Sequence, residues 1–137
     1  MPRSAVPTET ILVVDDESTL RELLGRVLTR AGYTVLAAEH GEHALRQARH
    51  HTGELNLVLT DVNMPVMGGV EFIRLFHPLY PRTPILFMTG RVSQDSRLMA
   101  EIEACGSLLK KPFGPDLLLE AVTRTLAGGT NIGRSSA

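Results

Sequence analysis

Apolar residues along this chain fall into two alternating patterns. Short and mostly unbroken apolar runs occupy residues 10–14 (TILVV), 33–37 (YTVLA), 55–60 (LNLVLT), 84–88 (PILFM) and 107–110 (SLLK). Runs of this length, without polar alternation, predict strands buried on both faces of a sheet. Between them, apolar residues recur three and four positions apart, which predicts helices. Leu20, Leu23, Leu24, Val27, Leu28 and Ala31 form the first stripe, and Gly32 follows where a helix C-terminus favours glycine. Gly69, Phe72, Ile73 and Phe76 make a second stripe before Pro78, and Leu98, Ile102 and Cys105 a thinner one. The segment PDLLLEAVTRTL supplies the last helix, with Pro115 at its start. GEHALRQARHH carries the weakest stripe, made only of Ala44, Leu45 and Ala48.

Five strands alternating with five helices predict an α/β fold, a doubly wound parallel sheet joined by right-handed crossovers and covered on both faces. That architecture locates the chemistry. Ligands of open parallel sheets sit outside the carboxyl ends of the strands, where the strand order reverses. The first predicted strand runs into Asp15 and Asp16, the third into Asp61, the fourth into Thr89 and the fifth into Lys111. The second ends in plain Ala37 and Ala38. Three acids, a hydroxyl and an ammonium therefore converge on one rim.

Composition narrows the classes. A chain of 137 residues, 43% hydrophobic and 21% charged, has the material for one globular domain and not for a second full one. With 14 basic and 15 acidic residues the formal net charge is −1, so no long-range field draws nucleic acid or an anionic membrane. Cys105 is the only cysteine, which excludes an intramolecular disulfide and suits a reducing, cytoplasmic compartment. The opening MPRSAVPTET lacks the apolar core of a signal peptide, and no run approaches the roughly 18 apolar residues of a membrane span. Residues 1–8 and 128–137, rich in Gly, Ser, Pro or Thr, read as flexible tails around a domain at 9–127.

Acids at a strand-to-helix turn often only cap the helix, which accounts for Asp16 and Glu17 taken alone. A lone Thr89 is also a helix cap, and a lone Lys111 a solvated side chain. Asp61 is harder to explain that way, because it ends an apolar run and precedes the turn VNMPVMGG. Two like charges about 4 Å apart repel by about 4 kcal/mol at an effective dielectric of 20. Three clustered carboxylates thus require a compensating cation. The donors are all oxygen, with no histidine or cysteine, which favours Mg²⁺ or Mn²⁺ over Zn²⁺. Lys111 and Thr89 suit phosphoryl oxygens that such an ion does not reach. Asp61 is then a candidate nucleophile, forming an acyl phosphate.

From about Thr10 to Leu126 the chain resembles the response-regulator receiver domains of two-component signalling. ILVVDDE, VLTDVNMPVMGG, ILFMTG and KKPF stand in that family's order and near its spacing. The resemblance implies a flavodoxin-like (βα)₅ fold with strand order 2-1-3-4-5. It implies that Asp61 accepts a phosphoryl group from a phosphohistidine on a sensor histidine kinase or phosphotransfer protein. Asp16 is then a direct Mg²⁺ ligand, Asp15 acts through a metal-bound water, and Asn63 offers its backbone carbonyl. Thr89 and Lys111 bind the phosphoryl group, and the Lys111–Pro112 bond is cis. The chain is then a signalling switch rather than an enzyme, catalysing only its own phosphorylation and slow dephosphorylation. Its output is a partner-docking face built from the fourth helix, fifth strand and fifth helix. Its partners include a downstream target protein but neither DNA nor membrane.

Two features depart from the family pattern. Receivers usually carry Tyr or Phe three residues before the lysine, where this chain has Leu108, and EACGSLLKKPF is one residue shorter than usual. Both bear on the switch rather than on the phosphorylation chemistry. A pseudo-receiver would lack the aspartate or the lysine. A haloacid-dehalogenase-like phosphohydrolase would carry DxD where this chain has adjacent Asp15 and Asp16. GGTNIGRS (128–135) resembles a P-loop without its strand and helix. His40, His43, His50 and His51 read as a solvated face, and Met64 and Met67 as packing under the turn. With no effector segment after the last helix, the expectation is a stand-alone receiver or one cut from a hybrid kinase.

Overall fold

A computed structural model of the chain describes residues 9–90 and 96–128. The expected tails, apart from Gly128, and most of the P-loop-like segment lie outside these. Elements alternate without exception: β1 (Thr10–Val14), α1 (Ser18–Arg30), β2 (Thr34–Ala38), α2 (Gly41–His50), β3 (Leu57–Asp61), α3 (Gly69–Phe76), β4 (Ile85–Thr89), α4 (Ser96–Cys105), β5 (Ser107–Lys110) and α5 (Pro115–Leu126). The strands form one parallel sheet in the order β2-β1-β3-β4-β5.

Strand side chains alternate between faces, so an apolar run divides between two cores. Ile11, Val13, Leu57, Leu59, Leu86 and Met88 meet Leu24 and Leu28 of α1 and Leu118 and Val122 of α5. Leu12, Val14, Val58, Ile85 and Phe87 meet Ala44 and Ala48 of α2, Phe72, Ile73 and Phe76 of α3, and Ile102 of α4. Because both faces are covered, β1, β3 and β4 are buried at every position. The same expectation fails for β2 and β5. These are the edge strands, and their residues are mostly half-buried or exposed.

The apolar stripes of the helices are wider than the faces they bury. Leu24 and Leu28 are the buried residues of α1, whereas Leu23 is 51% exposed and Ala31, the C-cap, lies on the surface. A helix turns only part of its circumference to a flat sheet, and six apolar residues exceed that arc. On α4, Cys105 is exposed and Met99 takes the inward place beside Leu98 and Ile102. His50 is exposed as expected, whereas His40 and His43 also bond the start of α2. His40 caps the helix, its Nδ1 accepting from the His43 backbone N–H at 3.2 Å, and His43 Nδ1 accepts from Glu39 N–H at 3.2 Å. No described helix is long and apolar enough to cross a membrane.

Candidate functional site

The chain leaves β1 toward β2 on one side, and β3 pairs on the other, so the reversal of strand order falls between β1 and β3. Asp15 directly follows β1 and Asp61 is the last residue of β3. One carboxylate oxygen from each of Asp15, Asp16 and Asp61 lies within 4.8 Å of the others. Lys111 follows β5, with its Nζ 3.3 Å from Asp15 Oδ2 and 3.5 Å from Asp61 Oδ2. Thr89 closes β4, buried, and its carbonyl accepts from the Lys111 N–H at 2.8 Å. The Lys111–Pro112 peptide bond is cis.

The three acids differ in how they are held. Asp15 is fully buried: its N–H donates to Ala38 O at 3.1 Å, Oδ1 accepts from Glu17 N–H at 2.9 Å, and Oδ2 faces Lys111. Asp16 is exposed and makes no hydrogen bond or ion pair with any described residue. Asp61 lies between these extremes. Its burial pushes the carboxyl pKa above the ordinary value, Lys111 opposes that shift, and Asp15 adds to it. The nearby backbone N–H of Asn63 favours the charged form of Asp61. Asn63 itself is exposed on the loop that follows.

That loop explains the glycines. Val62 N–H donates to Met88 O at 3.0 Å, and Gly69 N–H returns to Val62 O at 2.9 Å, so residues 62–69 fold back against the end of β4. Met67 N–H donates to Pro65 O at 2.6 Å, closing a γ-turn around Val66 with φ of 67°. A Cβ on Gly69 would overlap the Asp61 carbonyl oxygen, so only glycine lets α3 start this close to β3. Across the loop, Gly41 N–H donates to Met67 O at 3.1 Å, and a Cβ there would stand 2.7 Å from the Met67 side chain and 2.8 Å from Phe72. Met64 and Met67 pack against the core beneath the loop, as their sequence context indicates.

Every residue expected on the rim is at the carboxyl end of the sheet, but Arg21 was not foreseen. This α1 side chain donates from Nη1 to the Asp15 carbonyl oxygen at 2.7 Å. No residue type at a fixed spacing signals this contact, because its partner is a backbone carbonyl.

The donor set suits a hard divalent ion. All three side-chain donors are oxygens, one acid is exposed and free of other described partners, and a neighbouring ammonium offsets part of the charge.

The model of the response regulator receiver domain family matches residues 11–123. A chemotaxis protein CheY homolog of Campylobacter jejuni is 32% identical over 126 residues, covering 90% of this chain and 96% of that protein. Other relatives are much longer, and the chain spans 24% of their length. Vibrio cholerae chemotaxis protein CheY4 superposes with a TM-score of 0.78 at 35% identity, over 87% of this chain and 99% of that one. The Thermotoga maritima response regulator TrrA, solved in complex with Mg²⁺-BeF, gives 0.75 at 33% identity, over 86% and 99%.

Proposed function

We propose, on the premise that this chain belongs to the response regulator receiver domain family of two-component signalling, that it is a phospho-accepting switch centred on Asp61. The carrying observation is the convergence of three carboxylates within 4.8 Å under one lysine ammonium. The donor is a phosphohistidine on a sensor histidine kinase or phosphotransfer protein.

Asp16, Asp61 and the Asn63 backbone carbonyl would hold Mg²⁺, or Mn²⁺ in its place, with Asp15 acting through water. Such an ion, when bound, supplies the positive charge that lets anionic carboxylate and anionic phosphoryl group approach. An Asp61 oxygen forms the bond to phosphorus as the phosphorus–nitrogen bond of the donor breaks, and the electron pair leaves with the imidazole. The product is an aspartyl phosphate. Lys111, already placed between Asp15 and Asp61, gains phosphoryl oxygen as a partner, and the Thr89 hydroxyl takes another. Both acidic oxygens of Asp15 are engaged in the resting protein, which suits an indirect role better than direct ligation. TrrA supports the reading as a relative solved with Mg²⁺ and beryllofluoride together. The docking face consists of α4, β5 and α5, and the protein acts in the cytoplasm within residues 9–127.

Intact mass spectrometry after incubation with a small acyl phosphate and Mg²⁺ tests this directly. One phosphoryl adduct, released by hydroxylamine and absent from Asp61→Asn, is expected. A stoichiometric adduct on Asp61→Asn overturns the assignment.

A further inference from the structure

Asp16 has a puzzle of placement. It is exposed, has no hydrogen-bonding partner among the described residues, and yet its carboxylate lies with those of Asp15 and Asp61. Its position must therefore be set through the backbone on either side. A peptide unit is planar from one Cα to the next, so holding the Asp15 carbonyl oxygen also holds the Asp16 Cα. Arg21 holds that oxygen at 2.7 Å from the second turn of α1. The next peptide is fixed as well, because the Glu17 N–H donates to Asp15 Oδ1 at 2.9 Å. Arg21 N–H in turn donates to Glu17 O at 2.9 Å, so the helix that carries the guanidinium begins on the same segment.

We propose that Arg21 is a positioning residue of the site: its guanidinium fixes the Asp15–Asp16 peptide so that Asp16 is presented beside Asp15 and Asp61. This rests on reading the rim as a divalent-metal site. The arginine is half-buried among exposed neighbours Glu17, Ser18, Thr19 and Glu22, directed to the end of β1 rather than to solvent. The bond is charge-assisted, and a carbonyl so engaged loses the freedom to rotate away. Arg21 touches neither phosphoryl group nor metal in this account; it acts through Asp16.

Calorimetric titration of the whole chain with Mg²⁺ tests the proposal, using the parent, Arg21→Ala and Arg21→Lys. Arg21→Ala is expected to weaken Mg²⁺ binding by about ten-fold, the low end for groups that support metal ligands. Arg21→Lys, whose ammonium can donate to the same carbonyl, recovers part of the loss. With a small phosphodonor, Arg21→Ala needs more Mg²⁺ for half-maximal rate but reaches the parent's maximal rate at saturation. In the metal-free protein, the Glu17 amide loses protection from hydrogen exchange in Arg21→Ala while amides in β3 and β4 keep theirs. A Mg²⁺ affinity within about two-fold of the parent, or a reduced rate that saturating Mg²⁺ does not restore, overturns the proposal. Should Arg21→Ala lose protection across the whole sheet, Arg21→Lys decides: parental folding without recovered affinity also overturns it. Absence of Mg²⁺ binding in the parent overturns instead the reading of the rim on which it rests.

Discussion

Asp61, the proposed nucleophile, has surroundings that resist its charge. Burial raises its pKa first, Lys111 lowers it, Asp15 raises it, and the Asn63 amide lowers it, with a net upward direction. A folded-state pKa above the unfolded value gives a stabilising contribution that is present below the unfolded pKa and lost as pH rises through the folded one. At neutral pH the ionised Asp61 therefore costs stability in metal-free protein. Asp61→Asn should melt higher than the parent near neutral pH in chelator, and this gain should shrink as pH falls through the Asp61 pKa. Thermal melts across that range check it, and a mutant that melts lower at neutral pH contradicts it. The same direction predicts that adduct formation declines in acid at limiting Mg²⁺. Added Mg²⁺ should move the decline to lower pH, since a nearby cation favours the carboxylate. Rate profiles at two Mg²⁺ concentrations give the comparison. Asp15, Asp16, Asp61, Thr89 and Lys111 were legible as rim residues because each stands at the end of an apolar run. Arg21 was not, because its contact is with a carbonyl that every residue possesses, and no residue type at a given spacing announces such a bond.

The elements were legible through periodicity, and their faults share one cause: a run of apolar residues does not say how many neighbours an element will have. Thus β2 and β5 read like the central strands but lie at the sheet edges, and Leu23 and Cys105 belong to helical stripes without reaching the core. Glycine carried more information than the sequence pattern could release. Gly106 alone joins α4 to β5, and a Cβ there would overlap the Ile85 carbonyl oxygen. At the other end of the site, Gly68 and Gly69 differ sharply. A Cβ on Gly68 would stand 3.1 Å from Val62 O, a tight contact that a small shift relieves, whereas one on Gly69 would overlap the Asp61 backbone. Gly69→Ala should destabilise the protein by about 2–3 kcal/mol, in the range for forced overpacking, and Gly68→Ala by less than half of that. Urea midpoints at equal slope measure both. Gly69→Ala should also slow adduct formation, because relief of the overlap moves the carbonyl of Asp61, the proposed nucleophile.

Across the whole molecule, the proposed function links metal, stability and output through the rim. A ligand that binds only the folded state stabilises it by about 2.7 kcal/mol at 100 times its dissociation constant. Mg²⁺ should accordingly raise the parent's melting temperature, and Asp16→Ala should remove most of that rise; an equal shift in both proteins would contradict Asp16 as a ligand. How far the change at Asp61 travels depends on α4 and β5. Leu108 lies opposite Phe87 in the β4–β5 register, half-buried, and packs against the core that also receives Leu98, Met99 and Ile102 from α4. A second tie holds α4 in place, since Arg74 of α3 donates from Nε and Nη2 to the two carboxylate oxygens of Glu101 at 2.6 and 2.7 Å. Receivers usually carry an aromatic ring at this position, and a ring with both an outward and an inward place makes a bistable element. Leucine fills its inward place without a second one of comparable size, so movement of Thr89 toward a phosphoryl group leaves α4 packed as before. Beryllofluoride with Mg²⁺ should therefore shift amide resonances strongly near Asp61, Thr89 and Lys111 and weakly from Leu98 to Cys105. Leu108→Tyr should carry the response outward along α4, and pairing it with Glu101→Ala, which removes the Arg74 ion pair with α3, should carry it further. Large shifts throughout α4 in the parent would show that the rim reaches this helix by a route that does not pass through position 108.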